Sequence, residues 1–130
     1  MDELTSSTIS RIRKAKTLDE STEILRGMLS CPIAVWEDGT LYEIKKLVDK
    51  VDELKIEVYA REHSPPHFHV IGNNVDATFS LEEGRYLNGR IGGKALRLII
   101  FWHEHGGREK IIEAWNSSRP TNCPVGTIIS

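Results

Sequence analysis

The run His67-Phe68-His69-Val70-Ile71-Gly72-Asn73-Asn74-Val75-Asp76-Ala77-Thr78-Phe79-Ser80-Leu81 alternates apolar and polar residues on both sides of a central Asn-Asn pair. Successive side chains of a strand point to opposite faces, so the alternation predicts two strands, 67–71 and 75–81, joined by a two-residue turn. Asparagine tolerates the left-handed backbone that such a turn requires. With the turn at Asn73-Asn74, Gly72 pairs with Val75, Val70 with Ala77 and Phe68 with Phe79, and the apolar partners share one face. His69 then falls opposite Thr78, and His67 opposite Ser80, on the other face. A slip of one residue would turn the histidines inward and the phenylalanines out, so burial of one face permits only this register.

Working outward, Leu54, Ile56, Val58 and Ala60 alternate with Lys55, Glu57, Tyr59 and Arg61, which predicts a third strand with one buried face. Between it and His67 stands Glu62-His63-Ser64-Pro65-Pro66, so three of the five histidines lie within nine residues. Each proline fixes its own φ and pushes the preceding residue out of the helical region, so the histidines hang on a stiff bend. Downstream, Glu82-Glu83-Gly84 turns the chain and 85–91 reads as a short edge strand. A helix is predicted from Lys94 to about His105, apolar on nearly every side and therefore buried; Gly106-Gly107 ends or kinks it, and 108–115 resumes with Ile111, Ile112 and Trp115 facing in. Trp36, Trp102 and Trp115 are all assigned to the core.

Residues 1–30 read as two short helices rather than one, because Thr17-Leu18-Asp19-Glu20 has the capping-box pattern. Ile33 to Tyr42 reads as a β-hairpin turning at Asp38-Gly39, and 43–51 carries apolar residues at helical spacing. Val125 to Ile129 suits a last strand. The expected fold is α+β: a small antiparallel sheet of three to four strands packed on a C-terminal helix pair, with an N-terminal helical and hairpin extension. The expected division is 1–52 for the extension, 53–117 for the histidine-bearing core and 118–130 for a tail.

A chain of 130 residues buries roughly two-thirds of its surface, enough for a core without covalent staples. A formal net charge of −2 gives no field that would draw it to nucleic acid or to an anionic membrane. The basic cluster Arg11, Arg13, Lys14 and Lys16 is read as a solvated helix face. With no apolar run near the ~20 residues that span a bilayer and no signal-peptide pattern at Met1 to Ser6, the expected location is cytoplasmic. Cys31 and Cys123 are in no Cys-x-x-Cys frame and are read as free thiols.

The face opposite the core would carry Tyr59, Arg61, His67, His69, Asp76, Thr78 and Ser80, with Glu62 and His63 at its rim. Residues two apart on a strand point the same way, so His67 and His69 can converge on one ion, and His63 can supply a third ligand. Three histidines and an open position describe a catalytic zinc or iron site, with Glu62 or Asp76 as the candidate base. The same groups also suit metal-free ligand binding through Tyr59, Arg61, His63, His67, His69 and Thr78, or histidines that only hydrogen-bond within the sheet. His103 and His105, two apart on a helix, diverge by about 200° and are read as solvated helix-end residues.

The string Glu62-His63-Ser64-Pro65-Pro66-His67-Phe68-His69-Val70, with the strand ending at Gly84 and the helix from Ala95 through Trp102 to Trp115, resembles a family of small bacterial proteins classified as a domain of unknown function. The similarity spans Leu54 to Trp115. Members are frequently encoded beside a second small protein in toxin–antitoxin-like pairs, so the resemblance implies pair membership rather than a reaction. The expected function is thus a binding module of a toxin–antitoxin-like or phage-defence or counter-defence pair, engaging a protein partner or small ligand through the histidine face. The alternative is a metal-dependent hydrolase or nuclease using the three histidines. An exposed edge strand would make a homodimer natural.

Overall fold

A computed structural model of the chain describes residues 1–45, 51–58 and 66–118. Two helices open it, α1 (Glu3–Lys14) and α2 (Leu18–Leu29). The side chain of Asp2 caps the first, accepting from the Thr5 N–H at 2.8 Å. Thr17 caps the second by accepting from the Glu20 N–H at 3.1 Å, and the Glu20 carboxylate reaches back to the N–H of Lys16, one residue short of the cap, at 2.6 Å. The break between two helices at Thr17 is therefore a capping effect, as the residue pattern implies.

The hairpin pairs β1 (Ile33–Val35) with β2 (Leu41–Glu43). Thr5 Oγ1 accepts from the Leu41 N–H at 2.9 Å and ties the hairpin to α1. A helix over 43–51 does not begin where its spacing suggested. Glu43 is instead the last residue of β2, and the Ile44 N–H donates to Pro32 O, extending the ladder. Strand pairing holds Glu43 in extended backbone, which a first helical turn at that residue could not share. Residues 46–50 lie outside the described residues, as do Tyr59, Ala60 and the strand expected at 125–129.

The main sheet is antiparallel and runs in chain order: β3 (Leu54–Val58), β4 (His67–Gly72), β5 (Val75–Ser80) and β6 (Tyr86–Arg90). Its central register is the one that burial demands, with Phe68 opposite Phe79, Val70 opposite Ala77 and Gly72 opposite Val75. Asn74 takes the left-handed conformation at φ 68°. At the β6 edge Thr78 pairs with Asn88 but Phe79 pairs with Tyr86, so Leu87 is extruded as a bulge.

The C-terminal part is α3 (Gly93–Trp102), one π-type turn over His103–Gly107, and α4 (Arg108–Ser118). The Gly106-Gly107 pair kinks the helical run without ending it, the distortion falling on His105 (φ −102°, ψ 20°) and Gly106 (φ 140°, ψ −21°). Burial of α3 is one-sided, not all-round: Leu98, Ile99, Phe101 and Trp102 are buried, whereas Arg97 and Ile100 are exposed. The helix has core neighbours along only part of its circumference, so its apolar composition exceeds what the fold can cover.

One apolar core draws on both sides of position 53, from Ile12 and Leu25 through Phe68, Val70 and Phe79 to Trp102, Ile111 and Trp115. The buried Trp102 indole N–H donates to Ser21 Oγ at 2.9 Å, so α2 satisfies the polar atom of the largest side chain on α3. Trp36 is not a core residue; it is 55% exposed at the hairpin tip, resting edge-to-face on Tyr42 at 5.1 Å. The strands end at Val35 opposite Leu41, and Trp36 opens the turn, its N–H donating to Thr40 O at 2.7 Å. Among the described residues no helix is long and apolar enough to cross a membrane.

The kink also lets the chain pass the Trp102 ring. A Cβ at Gly107 would lie 2.5 Å from Trp102 Cδ2 and Cε2, a contact that requires the ring to move. Gly107→Ala is therefore expected to cost about 1–3 kcal/mol, as overpacked sites do, which a shift of the urea midpoint at unchanged slope would register.

Candidate functional site

Because Phe68 and Val70 are buried, the alternation of β4 turns His67 and His69 to the other side of the sheet. Pairing then assembles a polar row across all four strands: Glu57 opposite His69, His69 opposite Thr78, and Thr78 opposite Asn88. A second row places Lys55 opposite Ile71, Ile71 opposite Asp76, and Asp76 opposite Arg90. His67 lies opposite Ser80 at the end of the same face.

The two rows are tied together by side-chain contacts. Asp76 Oδ1 lies 2.5 Å from His69 Nε2, on the diagonal of the β4–β5 ladder where long side chains still reach each other. Asp76 is 55% exposed and His69 only 20%, so the pair has one wet end and one sheltered end. With Asp76 ionised, its oxygen accepts a hydrogen bond and the Nε2 carries the proton, which selects the tautomer and holds the ring. A histidine oriented by a carboxylate can shuttle a proton or recognise a hydrogen-bonding partner. Lys55 and Glu57 form an ion pair at 3.1 Å along β3, so this face presents charges of both signs.

Of the residues that the sequence nominates, the structure thus brings His69 and Asp76 into contact, with Thr78 beside His69 and His67 on the same face. Tyr59, Arg61, Glu62 and His63 lie outside the described residues. Among the described residues no group of three or more His, Cys, Asp or Glu side chains is placed to hold a metal ion. Asn88 and Arg90 belong to the face without having been nominated, because their alignment with Thr78 and Asp76 depends on the Leu87 bulge and not on local periodicity. Glu57 carried a usable signal: it alternates with the apolar residues of its own strand.

The helix-end histidines are corrected by the structure. His103 is buried, with Nε2 donating to Leu81 O at 2.8 Å and its ring stacked on Phe68 at 5.8 Å and 7°. It approaches β4 from the core side, directly behind the polar face. Gly84, at φ 69°, makes room: a Cβ there would lie 2.5 Å from His103 Nδ1. His105 is half-buried, 4.5 Å from the Phe101 ring. Their different fates follow from the turn in which they sit, which aims His103 at the sheet and His105 along α3. Cys31 is exposed with a free thiol, and Cys123 lies outside the described residues.

Residues 54–116 match a family model described as Domain of unknown function (DUF4160). The match starts at β3 and ends within α4, so it takes in the four-stranded sheet, α3 and the kink, and leaves α1, α2 and the hairpin outside. No curated protein and no solved structure gives a significant match to the chain.

Burial holds the His103 imidazole below the ordinary histidine pKa of 6.5, an effect only partly offset by its hydrogen bond to Leu81. The unfolded chain then binds a proton at this site more readily than the folded one, so stability falls as pH drops through about 6.5 and levels off below the folded-state pKa. His103→Gln keeps a donor for Leu81 O while removing the titration. It is expected to lose about 1–3 kcal/mol at pH 7.5 and to show a flatter decline to pH 5 than the wild type, read from urea midpoints at both pH values.

Proposed function

We propose that this protein is a binding module that engages a partner protein or small ligand through the polar face of its sheet. The observation that supports this reading is the contact at 2.5 Å by which Asp76 holds His69, a member of a polar row that crosses four strands. A rigid sheet fixes the spacing of these donors and acceptors, and the ion pair and hydrogen bond fix their rotamers, so little entropy is lost when a partner binds. The signature from Glu62 to Val70 supports the finer reading, that the partner is the other member of a bacterial toxin–antitoxin-like or phage-defence or counter-defence pair in the cytoplasm. Tyr59, Arg61 and His63 complete the surface in this reading.

A second reading, a metal-dependent hydrolase or nuclease with His63, His67 and His69 as ligands to zinc or iron, is favoured by the same carboxylate. Metal-bound imidazoles are commonly oriented by a carboxylate on the second ring nitrogen. Elemental analysis of the purified protein separates the two: stoichiometric metal that is lost in His67→Ala/His69→Ala supports the enzyme.

For the binding reading the measurement is co-purification with the product of the neighbouring gene, co-expressed with the full chain. His67→Ala/His69→Ala is expected to reduce capture at least ten-fold with an unchanged thermal transition, and Asp76→Asn, which keeps the shape but weakens the hold on His69, is expected to have a smaller effect. Undiminished capture by a folded double variant would overturn the assignment of this face.

A further inference from the structure

A groove separates the hairpin from α3, and none of the residues lining it belongs to β3–β6. Its larger part, about 560 Å³, is lined by Trp36, Glu37, Ile100 and Glu104, and its smaller part, about 280 Å³, by Ile44, Gly93 and Lys94. Val35, Tyr42 and Arg97 line both parts, so the two are continuous.

The exposure of its floor needs a reason. Trp36 and Ile100 are among the few large apolar side chains left in solvent, at 55% and 39%, and they face each other across the groove. Trp36 and Tyr42 meet at 90°, making a corner with two aromatic walls. Charge is distributed along the length. Arg97 and Ile100 of α3 and Glu104 of the turn that follows it stand at spacings of three and four, which sets the backbones of Arg97 and Glu104 roughly 10 Å apart along the helix at 1.5 Å per residue. Glu37 joins Glu104 at the aromatic end, while Lys94, whose ammonium lies 3.4 Å from Cys31 O, joins Arg97 at the other. Among the described residues Glu37, Arg97 and Glu104 make no ion pair or side-chain hydrogen bond, whereas most charged groups of the polar sheet face do.

We infer that this groove binds a short extended segment of a partner protein carrying a basic and an acidic residue two positions apart. The basic side chain lies against the Trp36–Tyr42 corner, where the ring faces attract a cation and the carboxylates of Glu37 and Glu104 pair with it. The acidic side chain meets the guanidinium of Arg97, with Lys94 adding charge behind it. The residue between them points away from the groove, and the backbone of the segment passes over Ile100. In an extended segment, side chains two positions apart stand on the same side about 7 Å apart at the backbone, and the reach of a long basic side chain covers the remaining distance between the two charged ends. Since the groove is built from the hairpin and α3, it is a docking surface independent of the histidine face.

Trp102 and Trp115 are buried, so a ligand in the groove acts on the fluorescence of Trp36. The full chain is titrated with N-acetylated, C-amidated peptides containing Asp-Val-Lys, Lys-Val-Asp, Lys-Val-Lys, Asp-Val-Asp or Ser-Val-Ser. One of the two mixed-charge orders is expected to give a saturable change with at least ten-fold tighter binding than either like-charged peptide. Glu104→Gln and Arg97→Gln should each weaken it five-fold or more, and His67→Ala/His69→Ala should leave it unchanged. Equal binding of all five peptides, or no saturable change with any, overturns the proposal. So does tetramethylammonium or arginine amide binding as tightly as the best peptide, which would make the groove a site for a small organic cation.

Discussion

Phe68 stacks on Phe79 at 5.3 Å and on His103 at 5.8 Å, both nearly parallel to it, and this is the point where the sheet and the C-terminal helices become one body. Once that ring is committed to the core, little freedom remains in β4. The neighbours of Phe68 on either side must emerge on the opposite face, and the pairing with β5 follows because only one register also buries Val70 on Ala77. The polar face is thus a consequence of hydrophobic burial behind it. His103 strengthens the coupling, since its hydrogen bond to Leu81 anchors the end of β5 from the same side.

The helical turn that carries His103 also explains how the N-terminal helices are joined to the rest. The kink lets Gly107 pass the Trp102 ring and brings Gly106 against Ile12 of α1. Trp102 in turn gives its indole N–H to Ser21 of α2. Residues outside the 54–116 family match therefore satisfy a buried polar atom inside it, and the hairpin that follows them forms one wall of a groove whose other wall is α3. The matched region supplies the polar sheet face; only the combination with residues 1–45 supplies the groove.

The two surfaces differ in kind. On the sheet, His69 and Asp76 are already in contact, so the proposed recognition there would use groups held in place before any partner arrives. In the groove, the charged groups at either end are held apart by the rise of the helix, and an aromatic corner is left in solvent between hairpin and helix. A protein with both can hold one partner at two points, which raises affinity by effective concentration, provided that the partner spans them.

By itself the sequence determined the local pattern. The α1–α2 break at Thr17 was legible because a capping box is a short-range motif, and the β4–β5 register was legible because a period of two admits one solution once a face is buried. The sharing of a face by His67, His69, Asp76 and Thr78 followed from that period. Tertiary structure alone decided the rest, because each of those features depends on which element lies opposite. Trp36 is exposed since it opens the turn at the hairpin tip, Ile100 since α3 is covered on one side only, and His103 is buried since a kinked turn points it at Phe68. Asn88 reaches the polar row only through the Leu87 bulge. Periodicity tells a chain which residues share a face; it carries no information about what covers that face, which is set by contacts between residues distant in sequence.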